Sequence, residues 1–352
     1  MNNDWIVNNN DTLLVTGANG FIGSRVVEAL LCYGFRNVHC FVRPSGNLTT
    51  LDRIVNSMDP GKIQLIKGNL LSKEDCKKAT EGVSIIFHLA AGIEKSFAGS
   101  FMNSVVATRN LLDATLPGRK LKRFVNVSSF AVYSNQKIKR GGVLDEQCEI
   151  ESDLSGMYDP YTYAKLKQDE LVLEYGRKYA IPYVVVRPGA VYGPGKNAIT
   201  GRVGINTFGV FLQLGGSNRI PLSYVENCAE AIALAGIRKD VDGEVFNIVD
   251  DDLPTSIEFL RMYKRNVRKF KSIYVPYRVF YLFSYLWEKY AVWSKGQLPS
   301  AFNRKRCIAY WKGNMYTNQK LKEVLGWAPR VSTKEGLIRY FEFCRNGVRN
   351  HA

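Results

Sequence analysis

Three glycines spaced three residues apart constrain this chain more than any other feature. Gly17, Gly20 and Gly23 sit in the run Thr16-Gly17-Ala18-Asn19-Gly20-Phe21-Ile22-Gly23, between a short apolar stretch (12–15) and an amphipathic one (21–31). In a strand–turn–helix unit the first glycine permits the tight turn. The second lets backbone approach a pyrophosphate, and the third lets the helix pack close to the sheet. Backbone N–H groups at the helix start then face the phosphates. The turn, with Asn19, Phe21 and Ile22 between its glycines, therefore predicts a dinucleotide site rather than an ordinary tight loop.

The following sequence repeats the same unit. Short apolar runs recur at 37–42, 63–66, 84–87 and 123–127, with helical patterns at 73–80 and 101–114 between them. Such alternation predicts an α/β fold, a Rossmann-type doubly wound parallel sheet. A long helical pattern over 161–179 leads into a strand at 183–187 and then a Gly/Pro-rich stretch over 188–204. Alternation fades beyond Gly189. The expected layout is a dinucleotide-binding domain over 1–189, joined by returning segments from 224–250, and a smaller C-terminal substrate lobe over 190–352. No internal repeat or low-complexity linker interrupts the chain. At 352 residues, one large domain or one domain with a smaller lobe is the expectation.

Composition excludes several classes. Hydrophobic residues make up 46 % and charged residues 23 %, as in globular proteins, and no run nears the ~20 apolar residues of a membrane span. The polar, Asn-rich start has neither a basic nor an apolar region, so no secretory signal is read. Seven scattered cysteines without a CxxC pair, and only three histidines, argue against a disulfide framework and a metal site. A cytoplasmic protein is the simplest expectation.

The second strand ends Cys40-Phe41-Val42-Arg43-Pro44. An acid there would bind the ribose 2′-OH of NAD. Arg43 instead suits a 2′-phosphate, so NADP is favoured over NAD.

Further along, Tyr161-Thr162-Tyr163-Ala164-Lys165 places Tyr161 and Lys165 one helical turn apart on one face. A free phenol titrates near 10, and a neighbouring ammonium would lower it toward a usable acid/base. Asn126-Val127-Ser128-Ser129 ends a strand at the sheet's carboxyl edge, where a serine hydroxyl can bond the same substrate oxygen. Tyr163, two residues from Lys165, faces elsewhere.

Taken in order, TGANGFIG (16–23), GNL (68–70), HLAA (88–91), VSSFAVY (127–133), YTYAK (161–165), RPGAVYGPG (187–195) and YVENCAEAI (224–232) resemble the extended short-chain dehydrogenase/reductases of the NAD-dependent epimerase/dehydratase type. The ending LGWAPRVSTKEGL (325–337) resembles them too. The resemblance implies that Gly17, Gly20 and Gly23 hold the pyrophosphate and that Asn69 and Leu70 meet the adenine, although the family usually has Asp where this chain has Asn69. It also implies that Ala90, Ala91 and Lys165 line the nicotinamide ribose and that Pro188 and Val191 lie against the nicotinamide. Ser129 and Tyr161 would be the catalytic hydroxyls, with Lys165 completing the triad. Dimers are common in the family, so a homodimer is also implied.

The reaction class narrows further. Sugar dehydratases of this family carry Asp-Glu right after the catalytic Ser/Thr, and here Phe130-Ala131 follows Ser129, which argues against dehydration. C4 epimerisation and simple oxidation or reduction of a hydroxyl remain. The segment around Gly215-Gly216-Ser217-Asn218-Arg219 suits two substrates. One is a nucleotide-activated or lipid-linked sugar whose diphosphate is held by Arg202 and Arg219. The other is an apolar alcohol, as in the 3β-hydroxysteroid dehydrogenase-like branch. A non-catalytic NADP-sensing module is the third reading, and the intact Ser/Tyr/Lys set argues against it.

Charge singles out one more segment. The chain carries 48 Lys/Arg against 32 Asp/Glu, and residues 261–312 hold 13 of the cations with a single acid, Glu288. Within it, 274–293 is dense in Tyr, Phe and Trp. Two readings stay open: a hydrophobic helix covering the substrate pocket, or a helix lying peripherally in a membrane interface. No nucleic-acid-reading motif supports a nucleic-acid partner.

Overall fold

The computed structural model describes residues 4–349, apart from 59–62, 93, 95, 119, 155–158, 208, 295, 296 and 298–301. Lys295 of the basic segment thus lies outside the described residues. The first half alternates as β1 (Thr12–Thr16), α1 (Gly23–Cys32), β2 (Val38–Val42), α2 (Thr49–Ser57), β3 (Ile63–Lys67), α3 (Lys73–Thr80) and β4 (Val83–His88). It continues through α4 (Phe97–Ser100), a π-helical turn (Phe101–Val106), α5 (Ala107–Thr115) and β5 (Arg123–Val127). A 3-10 turn (Phe130–Val132) and β6 (Val143–Leu144) precede α6 (Pro160–Tyr179), β7 (Tyr183–Pro188) and β8 (Ala190–Tyr192). There follow β9 (Gly204–Thr207), β10 (Val210–Gln213), β11 (Leu222–Tyr224), α7 (Val225–Ile237), β12 (Val245–Ile248), α8 (Ser256–Asn266) and β13 (Ser272–Tyr274). The chain closes with α9 (Tyr277–Trp293), α10 (Arg304–Trp311), β14 (Met315–Tyr316), α11 (Gln319–Leu325) and α12 (Thr333–Arg349).

Seven strands form one parallel sheet in the order β12-β7-β5-β4-β1-β2-β3. Helices cover both faces, which is why β1, β4 and β5 are buried along nearly their whole length rather than at alternate residues. The strand order reverses between β1 and β4. Such a switch point opens a crevice at the carboxyl ends of the strands.

Some local features differ from the sequence expectation. The helix expected over 101–114 begins as the short α4 and a π-helical turn before α5 takes over. The Thr108 hydroxyl donates to the Ser104 carbonyl within that stretch (2.6 Å). α2 was not anticipated, because it buries only Leu51 and Ile54 and its apolar signal is correspondingly short. Beyond Gly189 a second core gathers around Phe211, Phe259, Tyr263, Tyr340 and Phe341. The C-terminal region also returns to the first core, since Leu321, Leu325 and Trp327 are buried among the residues of β1 and α1.

Candidate active site

Gly17 leaves β1 with φ +68°, a conformation that favours glycine. A Cβ there would lie only 3.1 Å from the Ala90 nitrogen, and one on Gly23 would collide with the Gly17 carbonyl oxygen. The turn is therefore pressed against the end of β4 on one side and closed on itself on the other. Thr16 ties the two strand ends further. Its hydroxyl is hydrogen-bonded to His88 Nδ1 (2.8 Å) and accepts from the Ala90 N–H (3.3 Å). No side chain caps the first turn of α1; the Ser24 and Arg25 N–H groups donate to the Gly20 and Ile22 carbonyls (both 3.0 Å), and among the described residues the Ile22 and Gly23 N–H groups are left to face an anion.

At this crevice lies a cavity of about 260 Å³. Gly17, Asn19 and Gly20 line it from the turn, and Arg43 lines it from the end of β2. Asn69 and Leu70 come from the end of β3, Ala90 and Ala91 from the end of β4. Arg43 is exposed and has no ion-pair partner among the described residues. The Asn69 side-chain oxygen accepts from Leu71 N–H (3.0 Å), so its amide N–H groups are the ones left to face a ligand. Asn103, from the π-helical turn, also lines the cavity and was not anticipated. Phe21 and Ile22 are outside the lining. Ile22 packs on the first core, and the Phe21 ring lies under Lys196 at 6.0 Å. Glycine backbone, uncapped helix start and unpaired guanidinium together fit a dinucleotide with its phosphates.

Past this cavity, β5 delivers Ser129 and α6 delivers Tyr161. Asp159 caps α6 by accepting from Tyr161 N–H and Thr162 N–H (both 3.3 Å), and Pro160 occupies the first position. This fixes Tyr161 in the first turn. Ser129 Oγ accepts from Ala131 N–H (3.2 Å), and the Ser129 hydroxyl is near enough to the Tyr161 phenol to favour its ionised form.

Lys165 departs from the expected arrangement. Its ammonium donates to the Val127 carbonyl (2.6 Å) and to Gln168 Oε1 (2.8 Å), not to Tyr161. Burial pushes the Tyr161 phenol up to about 12, against the pull of the neighbouring Ser129 hydroxyl, and nearby Asp159 and Tyr310 raise it further. The expected lowering of the phenol by the ammonium is thus not found in this arrangement. Burial lowers Lys165 to about 8, partly countered by Asp169.

Two buried chains of hydrogen bonds support these groups. One runs from Lys165 through Gln168 to Thr108 (2.8 Å), His88 (2.9 Å) and Thr16, linking the lysine to the glycine turn. Burial holds His88 down at about 3, with the Lys165 charge adding to it, so the ring is neutral. In the other, Asp169 accepts from Asn126 (2.7 Å) and Ser128 (2.8 Å) and pairs with Arg187 (3.3 Å). Arg187 in turn donates to Tyr133 (3.0 Å). Gln168 and Asp169 were missed from the sequence, yet their positions three and four residues after Lys165 put them on its helix face.

Phe130, which follows Ser129, belongs to the second core, and Tyr310 lies near Tyr161. Phe130 lies 5.8 Å from Tyr316, and Arg202 stacks on Tyr310 at 5.0 Å. The Arg202 guanidinium donates to Ala309 carbonyl (3.1 Å) and reaches the Tyr316 hydroxyl (3.4 Å), with no carboxylate partner among the described residues. Arg219 is exposed and donates to the Leu253 carbonyl (2.6 Å). None of its contacts among the described residues reaches Ser129 or Tyr161. Pro188 is buried at the end of β7 and Val191 packs on the first core, both outside the cavity lining.

A parallel sheet whose switch point carries a glycine turn, a helix start without a side-chain cap and a cleft lined by the ends of β1, β2, β3 and β4 defines a nicotinamide-dinucleotide-binding protein of the Rossmann type. The chain belongs to the NAD dependent epimerase/dehydratase family, whose family model matches residues 13–249. It is 29 % identical over 260 residues to an Arabidopsis thaliana trifunctional UDP-glucose 4,6-dehydratase/UDP-4-keto-6-deoxy-D-glucose 3,5-epimerase/UDP-4-keto-L-rhamnose-reductase. That match covers 67 % of this chain and 36 % of the relative's length. It is 26 % identical to a 3-beta-hydroxysteroid dehydrogenase of Mycolicibacterium neoaurum, over 92 % of this chain and 89 % of the relative. Among solved structures, the UDP-glucuronic acid 4-epimerase of Bacillus cereus in complex with NAD shares the fold at a TM-score of 0.70 and 22 % identity, covering 95 % of this chain and 99 % of that one.

Proposed function

We propose that this chain is an NAD(P)-dependent oxidoreductase or epimerase acting on a hydroxyl or keto group of a nucleotide-activated or lipid-linked sugar. The observation that carries the reading is the Ser129–Tyr161 hydroxyl pair at the carboxyl edge of the sheet, beside the glycine cradle. A bound dinucleotide supplies the hydride chemistry. Gly17, Gly20 and Gly23 would hold its phosphates, and Asn69, Leu70, Ala90, Ala91, Pro188 and Val191 its bases and riboses. Tyr161 donates a proton to a carbonyl oxygen during reduction and accepts one during oxidation, while Ser129 holds that oxygen in place. Lys165, one turn after Tyr161, would hold a ribose hydroxyl of the dinucleotide.

Arg43, exposed at the adenosine end without an acid beside it, supports NADP over NAD. Arg202 supports a phosphorylated substrate, because a half-buried guanidinium without a carboxylate invites an anion. Arg219 is the weaker candidate, being bonded elsewhere. The division of labour follows from these roles. Residues 1–189, with 224–250, form the dinucleotide domain, and 190–352 bring Arg202, Tyr310 and Tyr316 to the substrate.

A second reading has its own support. The end-to-end likeness to a 3-beta-hydroxysteroid dehydrogenase and the Phe130, Tyr310 and Tyr316 rings favour an apolar alcohol. One experiment serves both. NADPH-dependent reduction and NAD(P)⁺-dependent oxidation are screened over nucleotide sugars and sterol-like alcohols, with Tyr161→Phe as the control. The variant is expected to bind NADPH normally and to lose about 100-fold or more in turnover. Full turnover in Tyr161→Phe would overturn the mechanism for either substrate.

A further inference from the structure

Helix α9 carries an apolar face that nothing among the described residues covers. Val279, Leu282, Phe283, Leu286, Tyr290 and Trp293 follow the spacing of one helical stripe, and all six are 41–76 % exposed. Ile273 and Tyr274 on β13, 57 % and 55 % exposed, lie just before it in the chain. A contiguous run of large apolar side chains on this scale marks an interaction surface rather than ordinary surface scatter. The buried face packs on the lobe. Phe280 meets Trp311 of α10 edge-on at 5.2 Å, and Ser284 and Ala291 are buried.

Charge decides the occupant. Arg265, Lys269 and Lys271 are exposed just before the stripe, and Arg278 and Lys289 flank it on one side of the helix. None of these five forms an ion pair among the described residues. The segment's single acid, Glu288, lies on the opposite side of the helix and is held by Arg304 (2.7 Å). A second copy of this chain docked face to face would bring two cationic rims together. An anionic lipid surface complements both the apolar stripe and its rim, with long cationic side chains reaching the headgroups from the helix edge. Among the described residues, no helix is long and apolar enough to cross a membrane, so contact is confined to the interface.

We infer that the α9 stripe and its basic rim form a docking surface for an anionic lipid interface. The inference stands independently of the sugar or sterol reading of the site, but it bears on both. α10, on which α9 rests, carries Tyr310, the neighbour that raises Tyr161. Docking therefore places α10, and with it a neighbour of Tyr161, directly behind the docked helix. That position suits a substrate with a lipid-borne tail.

The test is flotation of the full chain with vesicles of phosphatidylcholine alone and with roughly 30 % phosphatidylglycerol, at low and high salt. Binding is expected only to the anionic vesicles and should fall about tenfold or more as salt screens the rim. Two variants separate the contributions: Leu282→Glu with Leu286→Glu on the stripe, and Arg265→Glu with Lys269→Glu on the rim. Both are expected to lose flotation while binding NADPH like the parent. NADPH binding shows that the variants are folded and keeps this test apart from that of the active site. No flotation with anionic vesicles at low salt overturns the proposal, as does flotation that survives the stripe variant. A dimer of the parent that the stripe variant dissociates would assign the face to a second copy instead and overturn it too.

Discussion

Lys165 is a cation buried where a cation is disfavoured, and this makes it measurable. The unfolded chain holds the lysine proton to about pH 10.4, whereas the folded chain releases it near 8. Between those values the unfolded state binds more protons, so this lysine's contribution to stability rises with pH. Buried cysteines and tyrosines raised by burial act in the opposite sense at alkaline pH, so the informative quantity is the difference from Lys165→Met. That difference, from urea unfolding between pH 7.5 and 10, is expected to grow by up to roughly 3 kcal/mol. A flat difference would mean that the ammonium is better solvated than its bonds to Val127 and Gln168 imply. Arg43 gives a second prediction at this scale. A charge-assisted bond to a 2′-phosphate contributes about 1.5–3 kcal/mol, so Arg43→Ala should weaken NADPH about tenfold or more and NADH little. Equal weakening in a fluorescence titration would remove the argument for NADP.

At the scale of elements, how much is legible depends on how local the signal is. α6 is readable almost to the residue, because Asp159, Pro160 and the 161/165 spacing all act within one turn. The glycine turn is readable for the same reason. The π-helical turn at Phe101–Val106 is not, since nothing in its composition separates it from an α-helix, and it brings Asn103 to the cavity. α9 is the instructive case. Its aromatic sequence leaves two uses open, and the fold gives the helix two unlike faces. Phe280, Ser284 and Ala291 bury one side against the lobe, while Leu282, Leu286 and Trp293 stay exposed on the other.

The whole molecule is held together by returns of the chain that no local pattern announces. Trp327, 2 % exposed, joins the core built by β1 and α1 and donates to the Asn227 carbonyl (3.2 Å). Asn227 also binds the Val331 carbonyl and the Asp250 carboxylate (2.8 and 3.1 Å). Burial pushes that carboxyl up to about 6 despite these bonds. Removing the indole should therefore weaken the dinucleotide domain from a distance. Trp327→Ala is expected to cost about 3–5 kcal/mol in urea unfolding. One cooperative transition at the lower midpoint is the expected form, and an unchanged midpoint would show that the C-terminal region is only appended. Sequence by itself determined the alternating sheet, the glycine cradle and the placing of Tyr161 and Lys165 one turn apart on α6, because each rests on spacing within a strand, turn or helix. Only the tertiary structure decided where the Lys165 ammonium goes, that His88 is neutral and that half of α9 stays exposed. Those outcomes depend on burial and on partners distant in the chain, with Val127 lying 38 residues from Lys165 and Thr16 lying 72 from His88.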